Sequence, residues 1–247
     1  MRGFAPAVLG LAIVLAGCIP SPGEQKGKAG RLFQCRRAVG AIAVDGKLDE
    51  PAWENAQYLD DFRVPGTLEQ PQAATAARFL WDDQHLYFAA VCEDRDVYAL
   101  HKTHDSNTWE DDAVELFLKP QDHAHHYYEI HVTPLNTSLD LLIPRRGAGS
   151  FHRFTPWDSG IRSAVIVKGT LNQWRDKDKG WIVEAAIPLT AFAKDTPKPQ
   201  LGDRWRVAVC RYNYSVYLDD KELSTTARLP EVNFHRHEDY DSIEFAE

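Results

Sequence analysis

Dense runs of lysine or arginine are missing from this sequence of 247 residues, whose formal net charge is −8. A nucleic-acid-binding surface needs a stripe of basic side chains, so we exclude that class of function. The sequence also contains no Gly-X-Ser-X-Gly and no His-Glu-X-X-His motif, which removes two common hydrolase signatures. Long helical periodicity is lacking too, and this favours a protein built from strands.

Cysteine is scarce as well. Four cysteines are present and none belongs to a Cys-X-X-Cys pair, so neither a disulfide framework nor a zinc knuckle is predicted. Cys92 and Cys210 each end an apolar run, which indicates small core residues. In an oxidising compartment one disulfide could still form among Cys35, Cys92 and Cys210, and the sequence does not select the pair.

The N-terminus is typical of an export signal. The apolar run from Ala5 to Ala16 is too short to cross a bilayer as a permanent helix. It ends in Leu15-Ala16-Gly17-Cys18, which resembles the bacterial lipobox, so residues 1–17 are predicted to be removed and Cys18 to be lipidated. The alternative is an ordinary secretory signal that contains a cysteine. Ile19 follows the cysteine, which resembles lipoproteins sent to the outer membrane of Gram-negative cells.

A polar segment rich in proline and glycine comes next. Residues 18–38 are predicted to form the lipidated N-terminus and a flexible tether. Residues 39–247 are predicted to form one β domain, because a chain of this length with 44% hydrophobic residues can bury a sizeable core. The expected location is the cell envelope, with the lipid anchor as the contact to the membrane.

Two runs between Asp105 and Thr133 have a period of two residues. Since successive side chains of a strand point to opposite faces, each run predicts a strand with one apolar face. The apolar positions are Val114, Leu116, Leu118, Tyr128, Ile130 and Val132. The opposite face sets Glu115, Glu129 and His131 among aromatic rings. That face is either a solvated surface or the floor of a site for a polar ligand.

Further strands are predicted along the rest of the chain, separated by turn signals. Their predicted ranges are Ala41–Val44, Ala73–Trp81, His85–Val91, Ser138–Ile143, Ser163–Val167, Trp181–Ile187, Trp205–Cys210 and Tyr240–Phe245. A brief helix is predicted near Trp53, with Asp49 as its cap and Pro51 in its first turn. Many short strands without long helices predict an all-β fold, namely a β-sandwich with short helical turns.

Six phrases, found in this order, resemble family 9 carbohydrate-binding modules and their DOMON-type relatives. They are Ile42–Trp53, Ala77–Tyr87, Trp109–Phe117, Tyr127–Glu129, Gly180–Pro188 and Asn233–His235. The likeness extends from about Ala41 to Phe245. It implies an antiparallel β-sandwich of jelly-roll or immunoglobulin-like type. It also implies a non-catalytic protein that binds the terminal sugar of a glycan.

The resemblance implies particular ligand-binding residues. Two aromatic rings that clamp a sugar would be Trp109 and Phe234, the sheet carboxylate would be Glu115, and His131 falls where the family can have arginine. Phe234 stands where tryptophan is usual, which shrinks one stacking surface, and a histidine loses the bidentate donor of arginine. Arg211 follows the apolar run of its strand and either reaches the same face or is an ordinary surface cation. Phe234 could simply staple its loop, and Glu115 could pair with a surface cation.

Two other functions remain open at this point. Relatives of the family bind haem through methionine and histidine or lysine, but the only methionine is Met1, within the predicted signal peptide. A haem held by two histidines is therefore the one haem alternative left. Glu115 and Glu129 could also mimic the carboxylate pair of a glycosidase, or the chain could be an accessory part of a xylanase-type hydrolase system.

Metal binding is a further alternative, although no cofactor is predicted. The histidine-rich group consists of His123, His125, His126 and His131. His125 and His126 are adjacent and would point apart on an extended chain. The resemblance implies structural calcium in some members of the family, and the acidic pairs Asp60-Asp61 or Asp111-Asp112 could hold such an ion.

Overall fold

The computed structural model describes residues 30–192 and 196–247. The predicted signal peptide, Cys18 and the first part of the predicted tether lie outside these described residues. The described part contains twelve strands, one short helix α1 (Pro51–Glu54) and four 3-10 helices. The strands are β1 (Leu32–Arg37), β2 (Tyr58–Leu59), β3 (Thr75–Trp81), β4 (His85–Cys92), β5 (Ala113–Lys119), β6 (Tyr127–Val132), β7 (Ser138–Ile143), β8 (Arg162–Lys168), β9 (Gly180–Pro188), β10 (Arg204–Asn213), β11 (Glu222–Thr225) and β12 (Asp241–Ala246).

The strands form one curled sheet in the order β7-β6-β5-β10-β12-β1-β3-β4-β9-β8, with β11 beside β10 and β2 beside β3. Its two halves enclose one apolar core, to which β5, β10 and β12 contribute from one half and β3, β4 and β9 from the other. This arrangement confirms the predicted all-β class and sandwich. Neighbouring strands are antiparallel except around β1, which runs parallel to both β12 and β3.

Most strands were placed correctly by their two-residue period. The prediction for β7 has the observed bounds, and the others are displaced by only a few residues at their ends. The strand predicted at Ala41–Val44 is wrong, because Ile42 and Val44 instead pack from a loop onto the outer face of the sheet. The predicted cap Asp49 is also wrong: Glu50 holds the N-cap position of α1, and its side chain makes no capping bond.

The predicted end of the tether at residue 38 is a further correction. Residues Leu32–Arg37 form β1 and lie in the middle of the sheet, where Phe33 and Cys35 are buried. Five residue pairs align β1 with β12, from Leu32 beside Ser242 to Arg36 beside Ala246. The folded domain therefore begins before Leu32, and its N-terminal strand joins the two halves of the sandwich.

The phrase Gly180–Pro188 contains a buried carboxylate, Glu184, that stabilises the fold. Glu184 on β9 is fully buried and accepts hydrogen bonds from the backbone N–H groups of Asp45 and Gly46, at 3.0 and 2.8 Å. Its other oxygen accepts the indole N–H of Trp53 at 2.8 Å. Gly46 has φ +85°, the left-handed conformation that the turn requires. These bonds fasten the loop and α1 over the outer face of β3, β4 and β9.

The acidic pairs considered for calcium have other partners. Asp111 accepts the N–H groups of Leu100 and His101 at 2.9 and 3.0 Å, and Asp112 accepts those of Tyr98 and Tyr214 at 2.7 and 2.6 Å. These carboxylates therefore tie loops to the start of β5 instead of converging on a vacant position. In the other pair, Asp61 is surrounded by the guanidinium groups of Arg31, Arg63 and Arg228.

The predicted core residues lie in the core. Trp53, Trp81 and Trp181 are buried, and so are Cys92 and Cys210. All three cysteines of the described part carry free thiols, so the disulfide that the sequence left open is not formed. No helix within residues 30–192 or 196–247 is long and apolar enough to cross a membrane.

Candidate functional site

The candidate site is built on the outer face of β7-β6-β5-β10. Glu115 on β5 stands directly opposite His131 on β6, and Phe117 stands opposite Glu129. The same register places Val114, Leu116, Ile130 and Val132 together in the apolar core. Burial of that apolar face fixes the register, and the register in turn gathers the polar side chains on the other face.

This face is the floor of a pocket of about 620 Å³. Small-ligand pockets commonly have volumes of ~300–1,000 Å³, so the pocket is large enough for a small ligand. Loops at residues 146–149 and 232–235 form parts of its rim. Its lining residues include Trp109, Glu115, Phe117, Tyr127, Glu129, His131, Leu141, Phe151, Phe154, Tyr212, Phe234 and His235. The interpretation of this face as a solvated surface is wrong, because Glu115, Glu129 and His131 are buried at the bottom of the pocket.

His131 is the centre of the polar floor. Its Nδ1 lies 2.9 Å from the hydroxyl of Thr108, and its Nε2 lies 2.8 Å from Glu129 Oε1 and 3.3 Å from Glu115 Oε1. Burial lowers the pKa of the imidazole, but attraction to Glu115 and Glu129 outweighs it, so the net pKa of His131 is raised. Both ring nitrogens are occupied, and only 1% of the residue is exposed. His131 therefore holds the two carboxyl groups in position.

Glu115 differs from an ordinary surface carboxylate. Desolvation by burial, opposed by His131 and reinforced by Glu129, raises its pKa to about 8. The surroundings of Glu115 therefore favour its protonated form, and in that form the carboxyl can donate a hydrogen bond. Glu115 is the sheet carboxylate that the family resemblance implies for the site, and it lies in the lining of the pocket.

Glu129 offers an acceptor on the floor of the pocket that the fold leaves unused. One of its oxygens contacts His131, while Oε2 has no hydrogen-bond partner within the described part of the chain. The nearest cation candidate is His235 Nδ1 at 3.8 Å, which is too long for a hydrogen bond. A buried acceptor without a partner is costly, so a ligand hydroxyl that reaches Glu129 would satisfy it.

Aromatic rings enclose the space above this floor. The ring of Trp109, in the 3-10 helix Thr108–Glu110, meets Phe151 edge-on at a centroid distance of 4.5 Å. The backbone oxygen of Trp109 accepts the hydroxyl of Tyr214 at 2.7 Å, which fixes this segment. Phe234 meets Tyr212 edge-on at 5.7 Å and is 7% exposed, so little of its ring is open to solvent.

The prediction that Arg211 contributes to the site is wrong, and so is its alternative as a surface cation. On β10, Val207, Val209 and Arg211 share the face that points into the sandwich. The Arg211 side chain is 1% exposed and lies 3.0 Å from Asp94 Oδ2. It also donates to Thr75 Oγ1 and to the backbone oxygen of Glu93. Arg211 therefore supports the interior of the fold, on the side of the sheet away from the pocket.

The structure adds several pocket residues that the sequence analysis had not assigned to a binding site. They are Phe117, Tyr127, Phe151, Phe154, Tyr212 and His235. The two-residue period could have found Phe117 and Tyr127, because they share their faces with Glu115 and with Glu129. It gives no information about Phe151, which begins the 3-10 helix Phe151–Arg153 after β7 and reaches the pocket by tertiary packing.

The histidine-rich group does not assemble as a unit. Of its four members, only His131 belongs to a cluster of ligand-type side chains, together with Glu115 and Glu129. His123, His125 and His126 belong to no such cluster among the described residues, and they lie in the connection between β5 and β6. The alternative of a metal site formed by these four histidines is therefore not supported by their positions.

The fold and the pocket define a class: a β-sandwich module in which one sheet face forms the polar floor of a pocket bordered by aromatic rings. The family model described as carbohydrate family 9 binding domain-like matches residues 44–211. This chain belongs to that family, whose members are non-catalytic carbohydrate-binding modules. The resemblance noted in the sequence is thereby confirmed.

Among curated relatives, endo-1,4-beta-xylanase A of Thermotoga maritima is 35% identical over 165 residues, which are 66% of this chain and 13% of the xylanase. Endo-1,4-beta-xylanase C of Paenibacillus barcinonensis is 28% identical over 174 residues, 69% of this chain and 14% of that enzyme. This chain therefore corresponds to only about an eighth of the length of these relatives.

A solved family 9 module of Caldicellulosiruptor kristjanssonii in complex with cellotriose has the same fold. It aligns with a TM-score of 0.59 and 16% identity, over 87% of this chain and 94% of the module. The glucose complex from the same organism gives a TM-score of 0.56 and 17% identity, over 86% and 95%. Both confirm the predicted sandwich.

Glu115→Gln should change how the stability of the protein depends on pH. Because the folded-state pKa of Glu115 is raised from 4.5 to about 8, its protonated form stabilises the fold below pH 4.5. That contribution is lost as the pH rises to about 8, with a limiting slope of ~1.4 kcal/mol per pH unit for one proton. Glutamine copies the neutral acid, so the variant should gain stability relative to wild type between pH 5 and 8.5.

Chemical denaturation at several pH values measures this difference. Glu69→Gln is the matched control, because it makes the same substitution at an exposed position outside the pocket. A constant difference between Glu115→Gln and wild type across this pH range would show that Glu115 is already charged at neutral pH.

Proposed function

We propose that the protein binds the terminal sugar of a glycan in the pocket above β7-β6-β5-β10. The observation that carries the proposal is the combination of aromatic walls at Trp109 and Phe234 with a floor of buried hydrogen-bonding groups. Pyranose rings have apolar C–H faces and hydroxyl edges, so they match both parts of such a pocket. The glucose and cellotriose bound by the solved family members support the same class of ligand.

The floor divides the hydrogen-bonding work between two carboxyl groups. Glu129 Oε2 accepts a sugar hydroxyl, and Glu115, whose raised pKa favours the protonated form, can donate to a sugar oxygen. His131 holds both groups through its Nε2. The aromatic side chains supply apolar contact with the sugar ring.

A binding role accounts for Glu115 and Glu129 better than glycoside hydrolysis does. In a glycosidase the two carboxyl groups flank the scissile bond, with the sugar between them. Here both contact the same nitrogen of His131, at 3.3 and 2.8 Å, so an imidazole lies where the substrate would have to be. The similarity to parts of xylanases supports an accessory role beside enzymes that degrade glycans.

Calorimetry with glucose, cellobiose and xylobiose tests the proposal. The purified protein should bind at least one of them with one site per chain. Glu129→Gln should weaken that binding about tenfold or more. The substitution replaces one carboxylate oxygen, an acceptor, by an amide NH₂ group, which only donates. Glu69→Gln, on the exposed surface, should bind like wild type. Lack of heat with all three sugars and with a wider glycan array would refute the proposal.

The location of the protein forms a second part of the proposal: lipidation of Cys18 holds the domain on a membrane surface. The sequence Leu15-Ala16-Gly17-Cys18 supports it, and several acyl chains at ~0.8 kcal/mol per buried CH₂ would anchor the protein firmly. The Cys18→Ser variant should incorporate no labelled lipid, and the variant protein should appear in the soluble fraction. Cys35→Ser is the control, because Cys35 is buried in β1. Membrane association of Cys18→Ser equal to that of wild type would contradict the lipid anchor.

A further inference from the structure

A second group of convergent polar side chains lies beside β7, outside the pocket. Asp140 of β7 points to the side of the sheet opposite Leu139 and Leu141, and its side chain is fully buried. Oδ2 accepts hydrogen bonds from the backbone N–H of Ser159, at 2.8 Å, and from the Ser159 hydroxyl. Oδ1 is buried and has no hydrogen-bond partner among the described residues. One oxygen is thus used by the fold, and the other is left without a donor.

His104 faces this unused oxygen. Its Nδ1 lies 3.0 Å from the backbone oxygen of Ser138, an acceptor, so Nδ1 carries a proton and donates it. Its Nε2 lies 3.6 Å from Asp140 Oδ1 and 3.5 Å from Asp105 Oδ1. An imidazole that donates one N–H to a backbone carbonyl and turns its other nitrogen toward carboxylates has the arrangement found in metal-ligating histidines.

Asp158 completes the cluster from a third segment. Each of His104, Asp140 and Asp158 can offer one ligand atom, and these three atoms lie within 4.8 Å of one another. Asp158 Oδ1 accepts the N–H of Gly160 at 2.7 Å, which fixes the carboxylate at the turn and leaves its second oxygen available. Three segments that are far apart in sequence therefore direct one nitrogen and two carboxylates at a common point.

We propose that His104, Asp140 and Asp158 form a binding site for a first-row divalent cation such as Zn²⁺. One imidazole and two carboxylates are ligands for zinc-like ions, and solvent can supply a fourth ligand on the exposed side. Calcium and magnesium are bound by oxygen ligands, so an imidazole in the set disfavours them.

The alternative is a protonated His104 that forms ion pairs without a metal. Charge-assisted N–H···O bonds have lengths of ~2.7–2.9 Å, whereas Nε2 lies 3.5 and 3.6 Å from the two carboxylate oxygens. These distances are too long for hydrogen bonds and resemble the separations between neighbouring ligands of one small cation.

A cation at this site would connect the segments that carry two walls of the pocket. Trp109 follows His104 by five residues, and Phe151 precedes Asp158 by seven residues. The two aromatic rings contact each other at 4.5 Å. Fixing both segments before the sugar arrives lowers the ordering cost of binding. We therefore expect bound metal to increase sugar affinity, and this step alone rests on the proposed function.

Metal binding is tested without any sugar. The full chain, treated with a chelator and dialysed, is titrated with ZnCl₂ in a calorimeter, and wild type should bind one Zn²⁺ at this site. His104→Ala should weaken this event at least tenfold. His104 is about half exposed, so this variant should fold normally, and Asp158→Asn provides a second test at another exposed ligand. His123→Ala is the matched control, because it removes a histidine that belongs to no ligand cluster.

Three results would overturn the metal site. Zn²⁺ binding that is unchanged in both His104→Ala and Asp158→Asn would place the ion elsewhere. Loss of Zn²⁺ binding in Glu115→Gln alone would assign it to the pocket cluster. Binding of Ca²⁺ in strong preference to Zn²⁺ would exclude His104 as a ligand.

Sugar titrations with and without Zn²⁺ test the coupling separately. Wild type should bind sugar several-fold more tightly with Zn²⁺ than after chelation, and His104→Ala should show no such difference. Equal sugar affinity in both states of wild type would refute the coupling while leaving the ion-binding result intact. A protein that binds Zn²⁺ at His104 but no sugar would refute the proposed function and not the metal site.

Discussion

Arg211→Met is expected to lower the free energy of unfolding by about 3–5 kcal/mol, the range for removing one partner of a buried ion pair. Arg211 and Asp94 are each about 1% exposed in their side chains and lie 3.0 Å apart. Methionine fills much of the arginine volume but leaves Asp94 without its cation. Asp94 lies beside Asp112, and burial raises the pKa of both carboxyl groups, so a charge on Asp94 is strongly disfavoured once Arg211 is removed.

Urea unfolding measures this loss, with Arg204→Met as the matched control. Arg204 pairs with Glu244 at the surface, where 60% of the arginine side chain is exposed, so its replacement should cost at most ~1 kcal/mol. The cost in Arg211→Met should shrink in acid, because protonation of Asp94 removes the unpaired charge. A loss below about 1 kcal/mol at pH 7 would contradict the interior role of this ion pair.

Trp109→Ala is expected to weaken sugar binding by about 2 kcal/mol, or roughly thirtyfold, within the range for an aromatic hot spot. The substitution removes the largest ring of the pocket wall and its edge contact with Phe151. Because Trp109 is only partly buried, we expect a modest decrease in Tm. Calorimetry with the sugar that binds wild type most tightly gives the affinity, and a thermal melt gives the stability.

Trp174→Ala is the control for this prediction. Trp174 is 50% exposed, lies over the guanidinium of Arg175 and does not line the pocket. Its loss should leave sugar affinity unchanged. An affinity in Trp109→Ala equal to that of wild type would place the sugar elsewhere, and unfolding of the variant would show that this ring is required by the core.

The pairing of β5 with β6 could be predicted from sequence because one face of each strand is uniformly apolar. Burying Val114 beside Val132 permits one register, and that register sets Glu115 opposite His131. The same reasoning, applied to β10, would have placed Arg211 with Val207 and Val209 inside the sandwich. The two-residue alternation of β10 is visible in the sequence. The polarity of Arg211 favours a surface position, however, and its place in the alternation shows the opposite.

Other features left no local signal. β1 has the sequence Leu-Phe-Gln-Cys-Arg-Arg and directly follows a polar segment, so its composition resembles a linker. Its role depends on two neighbouring strands that are distant in sequence. These are β12, at the far end of the chain, and β3, which follows α1. Likewise, the raised pKa of Glu115 depends on how deeply the folded protein buries it, and a sequence pattern contains no measure of that desolvation.

The six phrases that resemble the family contain mainly residues that stabilise the fold. Glu184 in one phrase fastens the turn at Asp45 and Gly46 from another, and Asp111 and Asp112 bind backbone N–H groups of neighbouring loops. Such residues identify the sandwich reliably because they satisfy buried backbone groups. The identity of the ligand depends instead on the rings and loops around the pocket, where Phe234 departs from the usual tryptophan.

The central position of β1 determines how the domain would respond to a mechanical load. Under the proposed anchoring, tension between membrane and bound glycan enters the fold at the N-terminal end of β1. The pull is directed along a strand held by β12 on one side and β3 on the other. The hydrogen bonds on both sides would then be strained together in shear, whereas a hairpin at an edge would open one bond at a time. With such an anchor, the domain would be attached through a strand that is paired on both sides and resists being pulled from the surface.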